Sequence, residues 1–251
     1  MTSQRVALLT GASSGIGLAT VRALADNGFT VIATARREDR LKALAEENSQ
    51  IHGFVADLTH QHDVDALAAF ASQFEVSVII HAAGGAFDAH TIAEADLDSW
   101  QKTYDVNVLS GVRLIKALLP QLSKREDAHI VLISSTAGHV TYETGGSYVA
   151  AKFAERSLAN TLRLELNGQP IRVTEIAPGM VKTDEFAINR FGGDAAKAAK
   201  VYEGVDAPLT ADDVAESIRW SVMLPSHFNV DSMIIRPTAQ AANHKVYRTT
   251  R

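Results

Sequence analysis

The stretch from Ser134 to Lys152 holds side chains whose types and spacing permit acid–base chemistry. Tyr148 and Lys152 are four residues apart, so on a helix they share one face. An ammonium close to a phenol favours the phenolate, and Tyr148 could then give or take a proton near pH 7. Ser135 lies at the end of a predicted strand, where it could hydrogen-bond a substrate carbonyl or hydroxyl. Because Tyr-x-x-x-Lys occurs by chance on many helix surfaces, its meaning depends on the rest of the chain.

A glycine-rich turn near the start of the chain predicts a phosphate site. Its glycines have the spacing G-x-x-x-G-x-G and join a predicted strand, Val6 to Thr10, to a helical pattern. Glycine lets the backbone approach a pyrophosphate, whose charge is favoured at a helix N-terminus. An ordinary Gly/Ser turn is the alternative, but the position at the first strand-to-helix joint favours phosphate. The cofactor contacts predicted in this turn are Gly11, Ser13, Ser14, Ile16 and Gly17.

The end of the second predicted strand, Thr30 to Thr34, should select the cofactor. An acidic residue there would bind both ribose hydroxyls of NAD, but this chain has Ala35 followed by Arg36 and Arg37. The pattern therefore favours a 2′-phosphate, and hence NADP. The alternative, that these arginines are solvated residues at a helix start, applies more to Arg37 than to Arg36. Arginine normally avoids the first turn of a helix because of the helix dipole.

Strand and helix patterns alternate along the rest of the chain. Further strands are predicted at Ile51 to Ala56, Val76 to His81, Ile130 to Ser134, Ile171 to Ile176 and Met233 to Ile235. Such alternation implies a parallel sheet covered on both faces by right-handed crossovers. The sequence therefore predicts an α/β fold, a Rossmann-type doubly wound parallel sheet with helices on both faces, as a single domain over residues 1–251.

Residues at the ends of the third and fourth strands are further candidates for cofactor contacts. Asp57 and Leu58 follow the third strand. Asp57 could touch an adenine, or it could help to cap the next helix. Ala83 and Gly84 follow the fourth strand, and their small side chains leave room for a cofactor.

Asn107 stands inside a long predicted helix, Leu97 to Leu122, among aliphatic residues. Asparagine is unfavourable in a helix interior, so this one should have a partner. The partner could belong to the site, or it could be a buried backbone group.

Two segments near the C-terminus call for separate explanations. Residues 183–206 are polar, contain Gly192 and Gly193, and are too long for a plain connection, so they predict a mobile lid over the site. The tail from Gln240, which ends in Arg251, is predicted either to be disordered or to dock on a neighbouring subunit.

Composition excludes several classes of function. The net charge of −5 gives no basic field for nucleic acid, and 46% hydrophobic with 21% charged residues is typical of a globular protein. The chain has no cysteine, which excludes disulfides and thiolate ligands, and we predict no metal site. No stretch resembles a signal peptide or a membrane span, so we expect a cytoplasmic protein.

With the glycine turn, Asn107, Ser135, Tyr148 and Lys152 in this order, the chain resembles the short-chain dehydrogenase/reductase family over essentially its whole length. The resemblance implies that Tyr148 is the general acid/base and that Lys152 binds the nicotinamide ribose and eases ionisation of the tyrosine. It also implies that Ser135 orients the substrate oxygen and that Asn107 holds a water in a proton relay.

The resemblance extends to the segment expected beside the nicotinamide, which supplies the predicted cofactor contacts Pro178, Gly179, Val181 and Thr183. One stretch departs from the family. The family's Asn-Asn-Ala-Gly after the fourth strand is replaced by a sequence that starts with His81, so the hydrogen bonds of the usual asparagines are missing or replaced.

A narrower similarity links the chain to NADP-dependent 3-hydroxy acid dehydrogenases acting on serine or allo-threonine, through motifs that include Glu185-Phe186 and Arg190-Phe191. Their substrates carry a carboxylate, which needs a cation in a closed pocket. Arg190 is the candidate, because its planar fork binds carboxylates. Pairing of Arg190 with Glu185 or Asp194 on a solvated helix is the alternative.

Three functions therefore compete. The leading hypothesis is an NADP(H)-dependent oxidoreductase that moves a hydride between nicotinamide and a small carbonyl or hydroxy compound. The second is a broad carbonyl reductase without a carboxylate requirement. The third, a nucleotide-sensing Rossmann protein, needs no proton relay and is disfavoured by the intact set of relay residues. The family's habit of pairing subunits through long helices predicts a homodimer or homotetramer, with deep burial inside one subunit as the alternative explanation of their apolar faces.

Overall fold

The computed structural model describes residues 5–249, in which seven parallel strands form one sheet in the order β3-β2-β1-β4-β5-β6-β7. The strands are β1 (Val6–Thr10), β2 (Thr30–Ala35), β3 (Ile51–Val55), β4 (Val76–His81), β5 (Ala128–Ile133), β6 (Ile171–Pro178) and β7 (Ser232–Ile235). This arrangement confirms the predicted doubly wound parallel sheet.

Helices cover both faces of the sheet. They are α1 (Gly15–Asp26), α2 (Glu38–Glu47), α3 (Gln61–Ala71), α4 (Leu97–Tyr104), α5 (Ser110–Leu122), α6 (Gly146–Glu165), α7 (Phe186–Arg190), α8 (Ala195–Lys200) and α9 (Ala211–Met223). None of the helices within residues 5–249 is long and apolar enough to cross a membrane.

Two apolar cores lie on opposite faces of the sheet, because side chains alternate along each strand. Leu8 and Ile79 pack on one face against α3, α5 and α6, whereas Leu9 and Ile80 pack on the other against α1, α2 and α9. Burial on both faces explains why these strands read as continuous apolar runs in the sequence.

The segment from Leu97 to Leu122 is helical throughout, as predicted, but its middle turn is not α-helical. A π-helical turn, Asp105–Leu109, separates α4 from α5. Asn107 Nδ2 donates to the Thr103 carbonyl at 2.7 Å, the group that would accept the backbone N–H of Asn107 in a regular α-helix. The Asn107 side chain thus binds the carbonyl that would otherwise accept its own backbone N–H.

The segment at 183–206 forms the two short helices α7 and α8, and its flanks are tied together. Val181 and Leu209 form an isolated parallel bridge, and Lys182 N–H donates to Leu209 O at 2.7 Å. The two ends of the segment therefore lie next to each other, and its role as a mobile lid stays a prediction.

The predicted disorder of the tail is wrong for the residues described, which exclude Arg251, whereas docking on a neighbouring subunit stays a prediction. Two short strands, β8 (Gln240–Ala242) and β9 (Lys245–Val246), form an antiparallel hairpin on the same chain. Gln240 Oε1 accepts Met180 N–H at 2.7 Å, and Thr249 N–H donates to Gly204 O at 2.8 Å. The tail thus joins β6 to the 183–206 segment.

Candidate functional site

The candidate site lies where β1 and β4 meet, the point at which the strand order reverses. In open parallel sheets, ligands bind at the carboxyl ends of the strands beside such a point. A cavity of about 490 Å³ opens at the same edge of the sheet, lined by residues that follow β5 and β6, by α7 and by the C-terminal hairpin.

Ser135 and Tyr148 share a wall of this cavity, and both are buried. Ser135 Oγ accepts Ala137 N–H at 3.1 Å, which fixes the turn after β5, and it donates to Pro178 O at 3.3 Å. The Tyr148 ring packs edge-on against Phe186, with the ring centroids 5.4 Å apart. The structure therefore brings the predicted substrate contact and the predicted acid/base to one surface.

Lys152 lies behind Tyr148, with Nζ 5.6 Å from the centroid of the tyrosine ring. Its ammonium donates to Ile133 O at 3.0 Å and pairs with Glu155, whose Oε2 is 2.5 Å away. Burial disfavours the charge, but Glu155 and other negative groups outweigh it, so the pKa of Lys152 is raised. Lys152 is therefore a cation at neutral pH.

Asn107 is completely buried and bonds to the backbone on both sides. Its Nδ2 donates to Gly85 O at 2.8 Å, and its Oδ1 accepts Gly85 N–H at 3.1 Å. A Cβ on Gly84 would lie 2.6 Å from Asn107 Oδ1 and 3.4 Å from Lys152 Nζ. The carboxamide thus braces the turn after β4 next to Lys152, which is the backbone partnership that the sequence left open.

His81 replaces the family's asparagine with a different set of hydrogen bonds. Its Nδ1 lies 3.1 Å from Thr10 Oγ1, and its Nε2 lies 3.3 Å from Asn107 O. Thr10 Oγ1 accepts the N–H groups of the two residues after His81, so its own proton goes to Nδ1 and Nε2–H donates to Asn107 O. Burial and the nearby Lys152 charge lower the pKa of His81 to about 4, which keeps the ring neutral.

The turn between β1 and α1 can hold a diphosphate. Gly11 has φ +70°, and a Cβ there would lie 2.9 Å from Ala82 O. A Cβ on Gly17 would collide with Gly11 O, so α1 begins as close to the turn as its backbone allows. Ser13 and Ser14 lie in the same turn, and Ile16 lies in the first turn of α1. This bare backbone at a helix N-terminus fits a pyrophosphate.

A charged cluster of Arg37, Arg40 and Glu185 lies above this turn. Arg37 Nη2 donates to Ser13 Oγ at 2.8 Å and to Ser14 Oγ at 3.0 Å. Glu185, just before α7, accepts from Arg37 at 2.6 Å and from Arg40 at 2.8 Å. The hydrogen bond from Arg37, with smaller contributions from its neighbours, lowers the pKa of Glu185 to about 2. Arg37 thus stands at the start of α2, as its N-cap, and its partly exposed guanidinium is bonded to the glycine turn and to Glu185.

The Arg36 side chain lies at a different cavity. With Asp57, Thr59 and residues of α4 it lines a second cavity of about 340 Å³. Asp57 Oδ1 accepts from Thr59, so it braces the turn before α3 and is not the helix cap. The side chain of Leu58 lies in the apolar core, which leaves only its backbone for a ligand.

Arg190 faces the large cavity without a carboxylate partner. Its Cζ lies 5.3 Å from the centroid of the Tyr142 ring, and its Nη2 donates to Thr144 O at 3.4 Å. Its Nε is buried without a hydrogen bond. Glu185 is taken by other arginines and Asp194 caps α8, so the predicted alternative pairings of Arg190 are absent from the described residues.

The remaining predicted contacts and some unpredicted ones complete the cavity. Pro178, Gly179, Val181 and Thr183 line it as expected, and Ala83 N–H donates to Thr10 Oγ1 at 2.9 Å nearby. The C-terminal hairpin adds Gln240, Asn243, His244 and Val246, which the sequence did not indicate.

A family model described as short chain dehydrogenase matches residues 5–190. The chain is 49% identical over 243 residues to an uncharacterized oxidoreductase of Mycobacterium tuberculosis, covering 96% of this chain and 94% of that protein. It is 35% identical over 253 residues to the NADP-dependent 3-hydroxy acid dehydrogenase YdfG of Salmonella typhimurium, covering 97% of this chain and 100% of that protein. The closed form of serine dehydrogenase complexed with NADP+ aligns with a TM-score of 0.91 at 32% identity, covering 98% and 99% of the two chains.

Proposed function

Because the chain belongs to the short-chain dehydrogenase family, we propose that it is an NADP(H)-dependent oxidoreductase acting on the hydroxyl of a 3-hydroxy acid or on the corresponding ketone. The observation that carries this proposal is that Tyr148 and Ser135 share one wall of the 490 Å³ cavity with Lys152 directly behind. A nucleotide sensor would have no use for this arrangement.

Proton transfer is the task of Tyr148. When NADP is bound, its nicotinamide supplies or accepts the hydride, and Tyr148 gives or takes the proton of the substrate oxygen. Ser135 Oγ hydrogen-bonds the same oxygen, and Lys152 stabilises the phenolate by its charge. Asn107 holds the turn beside Lys152 in place, and a water in the relay remains part of the proposal.

The cofactor is held by the glycine turn and the arginines above it. Gly11 and Gly17 give the pyrophosphate access to backbone N–H groups. Arg36 and Arg37 follow the end of β2, which carries no acidic residue, and they supply the positive charge for a 2′-phosphate. The NADP in the closed serine dehydrogenase structure supports this assignment.

The substrate class rests on Arg190. Its guanidinium lines the cavity that holds Tyr148 and has no carboxylate partner among residues 5–249, so a substrate carboxylate can take that place. The name of YdfG, a 3-hydroxy acid dehydrogenase, supports the same class.

The experiment compares 3-hydroxybutyrate with its methyl ester, monitored by NADPH absorbance, in wild type and Arg190→Ala. Losing charged hydrogen bonds of about 1.5–3 kcal/mol should lower kcat/KM for the acid roughly 10- to 150-fold, with little change for the ester. Arg22→Ala, which removes an exposed arginine paired with Glu47, is the control and should change neither. An equal loss for acid and ester would favour the broad carbonyl reductase.

We also propose that the chain is a homodimer or homotetramer paired through α5 and α6. Val112, Phe153 and Leu164 are exposed on these helices at 38%, 38% and 80%, which supports a further apolar contact. Light scattering at micromolar concentration should report a multimeric mass, and a monomer would contradict this pairing.

A further inference from the structure

A second carboxylate lies directly behind the predicted acid/base. Glu155, three residues after Lys152 on α6, is 1% exposed, and its Oε2 is 2.5 Å from Lys152 Nζ. Across the described part of the chain, neither oxygen of Glu155 has a hydrogen-bond donor other than Lys152. Buried carboxylates normally have hydrogen-bond partners, so the charge of this one is stabilised by Lys152.

Lys152 stands between this carboxylate and Tyr148. Its ammonium has three N–H donors, of which one is directed to Ile133 O and one to Glu155. The third remains for the ribose or for the relay. The same charge therefore serves two neighbours, Tyr148 on the cavity side and Glu155 on the interior side.

The other charged group that acts on Glu155, among the residues described, is Glu175 of β6. Glu175 is well bonded, because its Oε1 accepts from Ser134 at 2.5 Å and lies 3.0 Å from His139 Nε2, and its Oε2 accepts from Ser232 at 2.8 Å. Burial, opposed by Lys152 and reinforced by Glu175, raises the pKa of Glu155 to about 7.

We propose that Glu155 is a positioning residue that acts through Lys152: its negative charge holds and offsets the ammonium, and so sets how strongly Lys152 favours the phenolate of Tyr148. This inference rests on the proposed function for its catalytic consequence. With Glu155 ionised, part of the lysine's field is cancelled, and Tyr148 keeps its proton to higher pH. With Glu155 neutral, the full field acts, and the phenolate forms at lower pH.

The test replaces the carboxylate by its neutral isostere, Glu155→Gln. Alcohol oxidation needs Tyr148 as a base, so the rising limb of kcat/KM against pH should move to lower pH by roughly one unit or more. Glu155→Asp, which keeps the charge, should leave the rising limb at the same pH as in wild type. Glu165→Gln removes an exposed carboxylate from the same helix and should leave the profile and the rate unchanged. A purely structural role for Glu155 would lower the rate at every pH without moving the limb.

A second readout needs no cofactor or substrate. Near-ultraviolet absorbance follows tyrosine ionisation during a pH titration, and subtraction of the matching Tyr148→Phe protein isolates Tyr148. The ionisation of Tyr148, isolated in this way, should occur at lower pH in Glu155→Gln than in wild type. If Glu155→Gln does not fold, Glu155→Met, which is apolar and of similar length, carries the same prediction.

The outcomes separate the two proposals. The role of Glu155 would be overturned if the wild-type protein is active and Glu155→Gln moves neither the rising limb of kcat/KM nor the tyrosine titration. A wild type that turns over none of the carbonyl or hydroxy compounds would overturn the proposed function, whereas a shifted tyrosine titration in that same protein would still support the electrostatic link from Glu155 to Tyr148.

Discussion

Two charged clusters flank the cavity, and they differ in their exposure to water. Above the glycine turn, the side chains of Arg37, Arg40 and Glu185 are 37%, 46% and 33% exposed. Behind Tyr148, the side chains of Lys152 and Glu155 are 5% and 1% exposed. The first cluster is an ion pair that solvent can reach, and the second is a pair from which solvent is excluded.

This difference decides what each cluster can do. Exposed ion pairs contribute little, about 0–1 kcal/mol each, so Glu185 can give up its arginines to a phosphate at small cost. Buried charges have lost their water and depend on each other, so removing one leaves the other uncompensated. The exposed cluster is suited to exchange partners with a cofactor, and the buried cluster is suited to hold a fixed electrostatic field.

The largest effect should come from removing the group on which the buried cluster acts. Tyr148→Phe deletes the proton-transferring hydroxyl, and general acid/base catalysis supplies about 10²–10⁴ in rate, so kcat should fall by at least that factor. Folding and NADPH binding, measured by thermal unfolding and fluorescence titration, should change little. Near-normal turnover in Tyr148→Phe would show that the buried cluster serves another purpose.

Changes to the arginines after β2 and to Glu185 should have opposite effects on NADP binding, and both effects should be smaller than that of Tyr148→Phe. Arg37→Ala or Arg36→Ala removes a charged hydrogen bond worth about 1.5–3 kcal/mol, so preference for NADP over NAD should fall roughly 10- to 150-fold. Glu185→Gln removes a competitor for the same arginines and should tighten NADP binding a few-fold. Titration calorimetry with NADP and NAD measures both changes. Weaker NADP binding in Glu185→Gln would mean that this carboxylate supports the cofactor and does not compete with it.

The last effect is on stability and concerns His81, which lies close to the buried cluster. An unfolded histidine binds a proton below about pH 6.5, whereas burial and Lys152 keep His81 neutral down to about pH 4. Its contribution to stability is therefore present above pH 6.5 and is lost as the pH falls towards 4, by about 2 kcal/mol between pH 7 and pH 5. His81→Asn should reduce the drop in unfolding free energy between these two pH values.

The matched control for that measurement is His62→Asn. The His62 side chain is 80% exposed, so its replacement should leave the pH dependence of stability almost unchanged. A pH dependence in His81→Asn equal to that of wild type would place the acid sensitivity elsewhere in the chain.

The fold followed from the sequence because it depends on local patterns. Apolar runs such as Val6 to Thr10 and Val76 to His81 are buried on both faces of the sheet, and their strands have the predicted bounds. The family resemblance is confirmed by the match over residues 5–190. The short motif around Tyr148 also depends on local helix geometry, so its spacing was sufficient to place it beside Lys152.

The features that were not predicted from the sequence depend on contacts between distant segments. The contacts of Arg37 were missed because its partners, Ser13 and Glu185, are 24 and 148 residues away. The C-terminal hairpin looked like a loose tail because its anchors lie just after β6 and in the 183–206 segment. Glu155 gave no signal because nothing in a helical pattern shows that one polar position is buried against Lys152.

One measurement tests the account most directly: initial rates of 3-hydroxybutyrate oxidation by the wild-type protein with NADP+ and with NAD+ in parallel. The account predicts turnover with NADP+ and a kcat/KM for NADP+ at least about 10-fold above that for NAD+, because the end of β2 carries arginines and no acid. Equal efficiency with the two cofactors, or no turnover of any hydroxy acid, ester or ketone with either, would contradict it.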